Sequence, residues 1–241
     1  AFQNIRHGFF TRIGGFSKSP YDSLNCSFNV EDNEFHVKEN LTLVCNQLKL
    51  KKLINLNQIH SSKVFVVNNK DDQIHDIKAD GLVTKLNDIG LSILGADCAP
   101  ILFYDNISKV IGACHAGWRG AINGIIENTV ASMENIGANR NNIISIIGPT
   151  IQKISYEIKN DLAQIIKESE FYKNNHSILF HVKQDKYLLD LPLLLKESLK
   201  FSRINNIGDI NVDTYQKSNL FFSHRKSTHE NFLKQSKTGR H

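Results

Sequence analysis

A mixed α/β protein is the fold class this sequence predicts. Short β-branched apolar runs of strand length alternate along the chain with longer segments whose apolar residues recur at helical spacing, and no internal repeat organises either. Hydrophobic content of 41% against 22% charged residues, over 241 residues, is that of an ordinary globular chain with material for one sizeable core. No Pro/Ser-rich linker or shift in composition divides it, so residues 1–241 are expected to form a single domain.

The elements follow in order. From Glu34 to Leu50, Val37, Leu41, Val44 and Leu48 fall on one helical face. VFVVN from Val64 is short and β-branched, and LSIL (91–94), PILFY (100–104), VIGACHA (110–116) and NIISIIG (142–148) read as further strands. A helix is predicted from Arg119, with Ile122, Ile125, Ile126, Val130 and Met133 on one face and Gly137 as its stop. Asp161–Glu170 and Leu191–Phe201 are predicted helices as well. Pro100, inside an apolar run, is expected to limit how far the strand ladder extends there.

Bulk properties exclude several classes. The net charge is +5, but the lysines are scattered and not gathered into a stripe, so nucleic acid is not expected as a partner. No uncharged apolar stretch reaches 18 residues, which argues against a membrane span, and a cytoplasmic location is the expectation. The basic excess suits a small phosphate-bearing substrate. Four cysteines, Cys26, Cys45, Cys98 and Cys114, without a CxxC pair, read as reduced thiols.

Polar residues interrupt the apolar runs at strand ends, where the backbone can aim them into a cleft. His60 precedes a strand, Cys98 lies between two apolar runs, and His115 closes VIGACH. Taken singly, a cysteine in an apolar strand is most often a small core hydrophobe, and a histidine at a strand end a hydrogen-bonded residue. Taken together, two imidazoles and a thiolate are a competent zinc set, and three protein ligands leave a fourth position for water or substrate. Cys114 is a rival to His115, but neighbouring strand residues face opposite ways, so if His115 is a ligand Cys114 is core. His7 and His224 are kept as pocket-wall candidates; His36, His75, His176, His181, His229 and His241 are assigned no role.

At this point NQIHSSKV, ADGLVT, GADCAPILFYD, GACHAGWRG, IGPTIQKISYEI and LFFSHRKSTHENFLKQSKTGRH, together with TRIGGFSKSPYDSLNCS, follow one another as in the YfiH-like family, which the chain resembles over nearly its whole length. These proteins carry the label of laccase-like polyphenol oxidoreductases and are assigned as zinc-dependent purine nucleoside phosphorylases with adenosine deaminase activity; some are linked to editing of peptidoglycan precursors. The resemblance implies a four-layer α/β/β/α sandwich similar to cysteine hydrolases, with His60, Cys98 and His115 as catalytic metal ligands. The chain departs from the family's pattern at Ser155 and at DTYQ (213–216), where cysteines are usual, at His224 and Lys226, where Tyr and Arg are usual, and at LNCSFNVED, which lacks HVGD.

The implied partners are a nucleoside and phosphate, in a monomer or small homo-oligomer. The HAGWRG turn joins a strand to a helix start, and Arg119 offers a charged fork for the anion. Arg12 and Arg225 are weaker candidates for the same task, and Asn25 is a candidate for a sugar hydroxyl or base edge. With Cys98 as thiolate, a metal offsets the cost of a buried negative sulfur, and Asp97 is expected to be structural or to hold a ligand or loop N–H. Two rivals stand beside this reading. A copper-dependent phenol oxidase needs many more histidines at HxH spacing, and the sequence has no HxH, so copper is the less favoured metal. A cysteine hydrolase would use Cys98 as nucleophile and His115 as base.

Overall fold

The computed structural model describes residues 5–69, 77–230 and 237–241; His75 falls outside them. The elements are α1 (Glu34–Leu48), β1 (Lys52–Ile54), β2 (Val64–Val67), β3 (Gly81–Thr84), β4 (Ile89–Leu91), β5 (Ala99–Asp105), β6 (Val110–Ala116), α2 (Trp118–Ile122), α3 (Ile125–Asn135), β7 (Ile143–Ile147), β8 (Glu157–Lys159), α4 (Asn160–Glu168), α5 (Glu170–Asn174), β9 (Leu179–Lys183), β10 (Lys186–Leu189), α6 (Leu191–Phe201), β11 (Asn206–Asp209) and α7 (His224–Glu230). Six strands form the main sheet in the order β11-β7-β5-β6-β3-β2; β8-β10-β9 and β1-β4 form two smaller ones.

The pleat of the main sheet separates two cores. Val83, Ile101 and Phe103 pack with Ile126, Val130 and Met133 of α3 and Leu195 of α6. Leu82, one residue from Val83, points to the other face and packs with Ile54 and Ile89 of the β1–β4 sheet. Beyond that sheet, Val44 of α1 packs with Leu24, Cys26 and Leu53. Helix, sheet, sheet and helix are thus stacked in the four-layer α/β/β/α order. Each fully buried Leu, Ile or Phe contributes on the order of 1.5–3 kcal/mol, so the two buried faces of the central strands carry most of the stabilisation. Among the described residues, no helix is long and apolar enough to cross a membrane.

Three predicted elements differ. The strand expected over 91–94 stops at Leu91 because the Gln58 side chain replaces a neighbouring strand: its Nε2 donates to Leu94 O and its Oε1 accepts from Leu94 N, both at 2.8 Å. The helix expected from Arg119 is two helices, broken at Asn123–Gly124, where Gly124 takes φ +86. The helix over 161–170 is cut at Ser169, whose extended backbone (ψ 146) ends α4 and whose side chain caps α5. Pro100 sits inside β5 opposite His115, and the β5–β7 ladder starts only at Ile101.

Strand directions gather the polar interruptions at one end of this sheet. Cys98 immediately precedes β5, and antiparallel pairing sets Ala99 against Ala116, so His115 near the end of β6 lies at the same end. Gly81 pairs with Cys114 and with Val64, which brings Asp80 and the 60–63 loop there too.

Candidate metal centre

His60, Cys98 and His115 converge so that their ligand atoms all lie within 4.8 Å of one another. The two imidazole rings meet edge to face with centroids 4.8 Å apart. Ligand atoms around a tetrahedral zinc stand roughly 3.5 Å apart, by the usual Zn–N and Zn–S lengths, so small side-chain shifts close the cluster on an ion. Two nitrogens and one thiolate are the donor chemistry zinc takes, and among the described residues no fourth His, Cys, Asp or Glu joins them.

Asp80 builds this cluster, and sequence reasoning assigned it no role. Its fully buried carboxylate accepts from the backbone N–H groups of Ile59, His60 and Ser61, from Ser61 Oγ, and from His115 Nδ1 at 3.0 Å. One carboxylate thereby fixes both the His60 loop and the His115 tautomer: with the proton on Nδ1, Nε2 is free to face the site. Burial would push Asp80 up, but the hydrogen bonds from His115 and Ser61 outweigh it and hold the carboxyl at about 2. His60 reaches its position through a left-handed backbone (φ 58), which those N–H contacts secure.

The thiol is set by opposing effects. Burial alone would raise Cys98, yet the imidazoles of His115 and His60 draw it down to about 6, the thiolate form that binds metal. Burial lowers His115, and Cys98 and Asp80 raise it to about 9, so metal binding displaces a proton from this imidazolium. Cys114 faces the core, fully buried, and burial drives its thiol strongly upward, the inert state expected of it. All four cysteines are free. Gly117 is the second unassigned requirement, because a Cβ there would sit 2.6 Å from Cys98 Sγ.

Asp97 acts as a loop clamp. In a left-handed conformation (φ 86), it accepts from Thr214 Oγ1 at 2.7 Å and from Arg225 N at 2.6 Å through its carboxylate, and from Ile151 N through its carbonyl. This ties α7 and the 214 segment to the residue preceding Cys98.

The metal cluster opens into a cleft of about 410 Å³, within the range that holds small ligands. Val30, Leu56 and Leu94 form an apolar wall, and His224 and Arg240 line it with the three donors. Burial and the nearby Arg240 keep His224 low, hence neutral at physiological pH. His7 lies elsewhere, in a groove with Gln47 and Leu48.

The other predicted binding residues are placed differently. Asn25 is wholly buried, with its amide spent on Ser27, Asp32 and Arg240 N, which leaves nothing for a sugar. Arg12 is engaged by Asp22 and Ser218 O and stacks 4.4 Å over Phe222. Arg225 donates to Glu157 O and lies over Tyr156. Arg119, exposed, stacks 4.4 Å over Trp118 and is felt electrostatically by Tyr156; it does not line the cleft.

With this geometry in place, comparison with known proteins is decisive. Residues 6–241 match the family model described as multi-copper polyphenol oxidoreductase laccase. The chain belongs to this family, that of the YfiH proteins. A purine nucleoside phosphorylase of Rickettsia prowazekii is 35% identical to it over 82% of this chain and 80% of that protein. The purine nucleoside phosphorylase YfiH of Escherichia coli is 30% identical, covering 90% and 86%. The crystal structure of Bacillus licheniformis hypothetical protein YfiH matches with a TM-score of 0.86 at 30% identity, over 95% of this chain and 88% of that one.

Two departures of this YfiH-family chain meet in space. At Ser155 and the DTYQ segment, where the resemblance leads one to expect cysteines, Ser155 Oγ donates to Asp213 Oδ2 at 2.6 Å, a hydrogen-bonded tie between the two segments. His224 stands at the cleft wall, whereas Lys226 turns away to Glu230 and Tyr215.

Proposed function

We propose that the chain is a zinc-dependent purine nucleoside phosphorylase that uses His60, Cys98 and His115 as metal ligands. The observation that carries this is the three-donor cluster at the floor of a ligand-sized cleft, on a chain whose relatives are named purine nucleoside phosphorylases. Three protein ligands leave a coordination position toward the cleft, the arrangement of catalytic and not of closed structural zinc sites. When bound, zinc supplies Lewis-acid charge at that position.

The remaining work belongs to the chain. The Val30, Leu56 and Leu94 wall takes the flat purine face. His224, uncharged, offers one donor and one acceptor to a heterocycle edge. Asp80 holds His115 in the tautomer that presents Nε2. Among the described residues this is the single cluster of three or more such donors, which is too few for a multicopper electron-transfer centre and disfavours phenol oxidation despite the family's description.

The test is metal content and turnover of His60→Ala, Cys98→Ala and His115→Ala, assayed with adenosine and inosine in the presence of phosphate. Each is expected to lose zinc and phosphorolysis while staying folded. Full metal occupancy and rate in any of them removes that residue from the ligand set. Release of ammonia from adenosine without phosphate would identify deamination as a reaction of the same cleft, and thiol alkylation that kills a metal-free, active protein would favour a cysteine hydrolase instead.

A further inference from the structure

The cleft contains a cation that, among the described residues, forms no ion pair with a carboxylate. Arg240 lines it beside His60, Cys98 and His115, and no acidic residue is among the lining residues. None of the three arginines considered from the sequence lines it: Arg12 is paired with Asp22, Arg225 donates to Glu157 O, and Arg119 lies exposed over the Trp118 ring. Arg240 differs from all three in facing the cleft. Among the described residues it forms no ion pair; only Nη1 is engaged, by the carbonyls of Thr238 and Gly239 at 3.1 and 2.9 Å, which leaves Nε and Nη2 for a ligand.

The backbone that carries Arg240 is fixed on both sides. Asn25 Oδ1 accepts from Arg240 N at 2.9 Å, and Arg240 O accepts from Cys26 N at 2.8 Å. The next residue, His241, exchanges two backbone hydrogen bonds with Gly95, three residues before Cys98. Gly239 lies flat on Phe222, where a Cβ would come within 2.7 Å of the ring. The guanidinium is therefore held in place before any ligand arrives, which removes the cost of ordering a long side chain on binding. Burial draws its pKa down, offset only by the charges of Cys98 and Asp97. A guanidinium remains protonated regardless, and a partly desolvated cation with two free donors is a receptor for a tetrahedral oxyanion.

We infer that Arg240 is the anion-binding residue of this cleft and takes a phosphate group there, next to the metal cluster. This rests on the phosphorylase reading for its preferred source, inorganic phosphate as co-substrate; the phosphate ester of a nucleotide presents the same chemistry. It replaces the turn at Arg119 as the seat of the anion, and it makes the buried Asn25 a positioning residue for Arg240 and not a ligand contact.

The experiment measures binding apart from turnover. The zinc-loaded full chain is titrated with inorganic phosphate and with adenosine 5′-monophosphate by calorimetry, in wild type, Arg240→Met, Arg240→Lys and Arg119→Ala, with zinc content and melting temperature recorded for each. Arg240→Met is expected to weaken phosphate about ten- to hundredfold, Arg240→Lys less, because it keeps the charge but not the fork, and Arg119→Ala little. Should Arg240→Met fold poorly, Arg240→Lys carries the comparison. Phosphate binding by either Arg240 variant at wild-type affinity overturns the proposal. Arg240-dependent phosphate binding without any nucleoside phosphorolysis upholds the site and fails the phosphorylase reading. Arg240-dependent binding of the nucleotide alone upholds it with the ester as the source.

Discussion

Replacing Gly117 by alanine tests the metal centre without touching a ligand. The backbone there, φ −81 and ψ 177, is one that alanine adopts freely, so the substitution adds bulk and no backbone strain. The added Cβ would lie 2.6 Å from Cys98 Sγ and 3.9 Å from His60 Cδ2, so the sulfur is what must move. Reaching even a tight contact of 3.4 Å requires a shift of at least about 0.8 Å, against a tolerance of about 0.2 Å in metal–ligand distances. A displaced third ligand is expected to cost ten- to hundredfold in zinc affinity, or about 1.4–2.8 kcal/mol. Competition against a chromophoric chelator reads the affinity, and circular dichroism with a thermal melt confirms the fold. Gly208→Ala on β11, where the nearest atoms stand at 3.4–3.6 Å, is the control. Wild-type zinc affinity in Gly117→Ala would refute the placement of Sγ in the ligand set.

Further outcomes follow from the same geometry. Asp80→Asn should fold but bind zinc about ten- to hundredfold more weakly, since the His60 loop and the His115 tautomer lose their common acceptor; unchanged affinity in chelator competition would show that the ligands hold themselves. Asp80 also makes a pH prediction: a carboxyl lowered from 3.8 to about 2 contributes stability present above about pH 4 and lost as pH falls through 2. In metal-free protein the stability advantage of wild type over Asp80→Asn should therefore shrink by roughly 2 kcal/mol between pH 5 and pH 2, and a constant difference in urea melts across that range would contradict it. Cys114→Ala should keep full zinc and lose only about 1 kcal/mol, as a small core deletion does; metal analysis that finds it depleted would reverse the facing of Cys114 and His115.

Much of this architecture is legible in the sequence, because hydrophobic period and strand propensity act locally. The strands at Val64, Pro100, Val110 and Ile143 and the helices at Glu34 and Leu191 stand where their patterns place them. Period fails where a single residue acts against it. Gly124 breaks a continuous apolar stripe by turning into the left-handed region, and Ser169 prefers to cap one helix over extending another. Leu94 shows a third kind of failure, in which a distant glutamine side chain satisfies the backbone that strand pairing would otherwise claim.

The site divides along the same line. Cys98 and His115 stand out because a polar atom in an apolar run costs free energy unless something binds it; His60, in the polar stretch NQIHSSK, joins them as a ligand through the family resemblance. Arg12 and Arg225 look like anion-binding residues by their charge and Asn25 like a sugar or base contact by its amide, but the structure supplies protein partners for each, and only three-dimensional proximity reveals them. The converse holds for Asp80 and Arg240. Asp80 matters because two strand pairings carry it to the end of the sheet where both imidazoles lie, and Arg240 because hydrogen bonds to Asn25 and Cys26 hold its backbone at the cleft wall. A side chain's spare hydrogen-bonding capacity is a property of the assembled fold. Chemical type nominates a residue for the site, and the fold decides by whether it leaves that residue's donors and acceptors free.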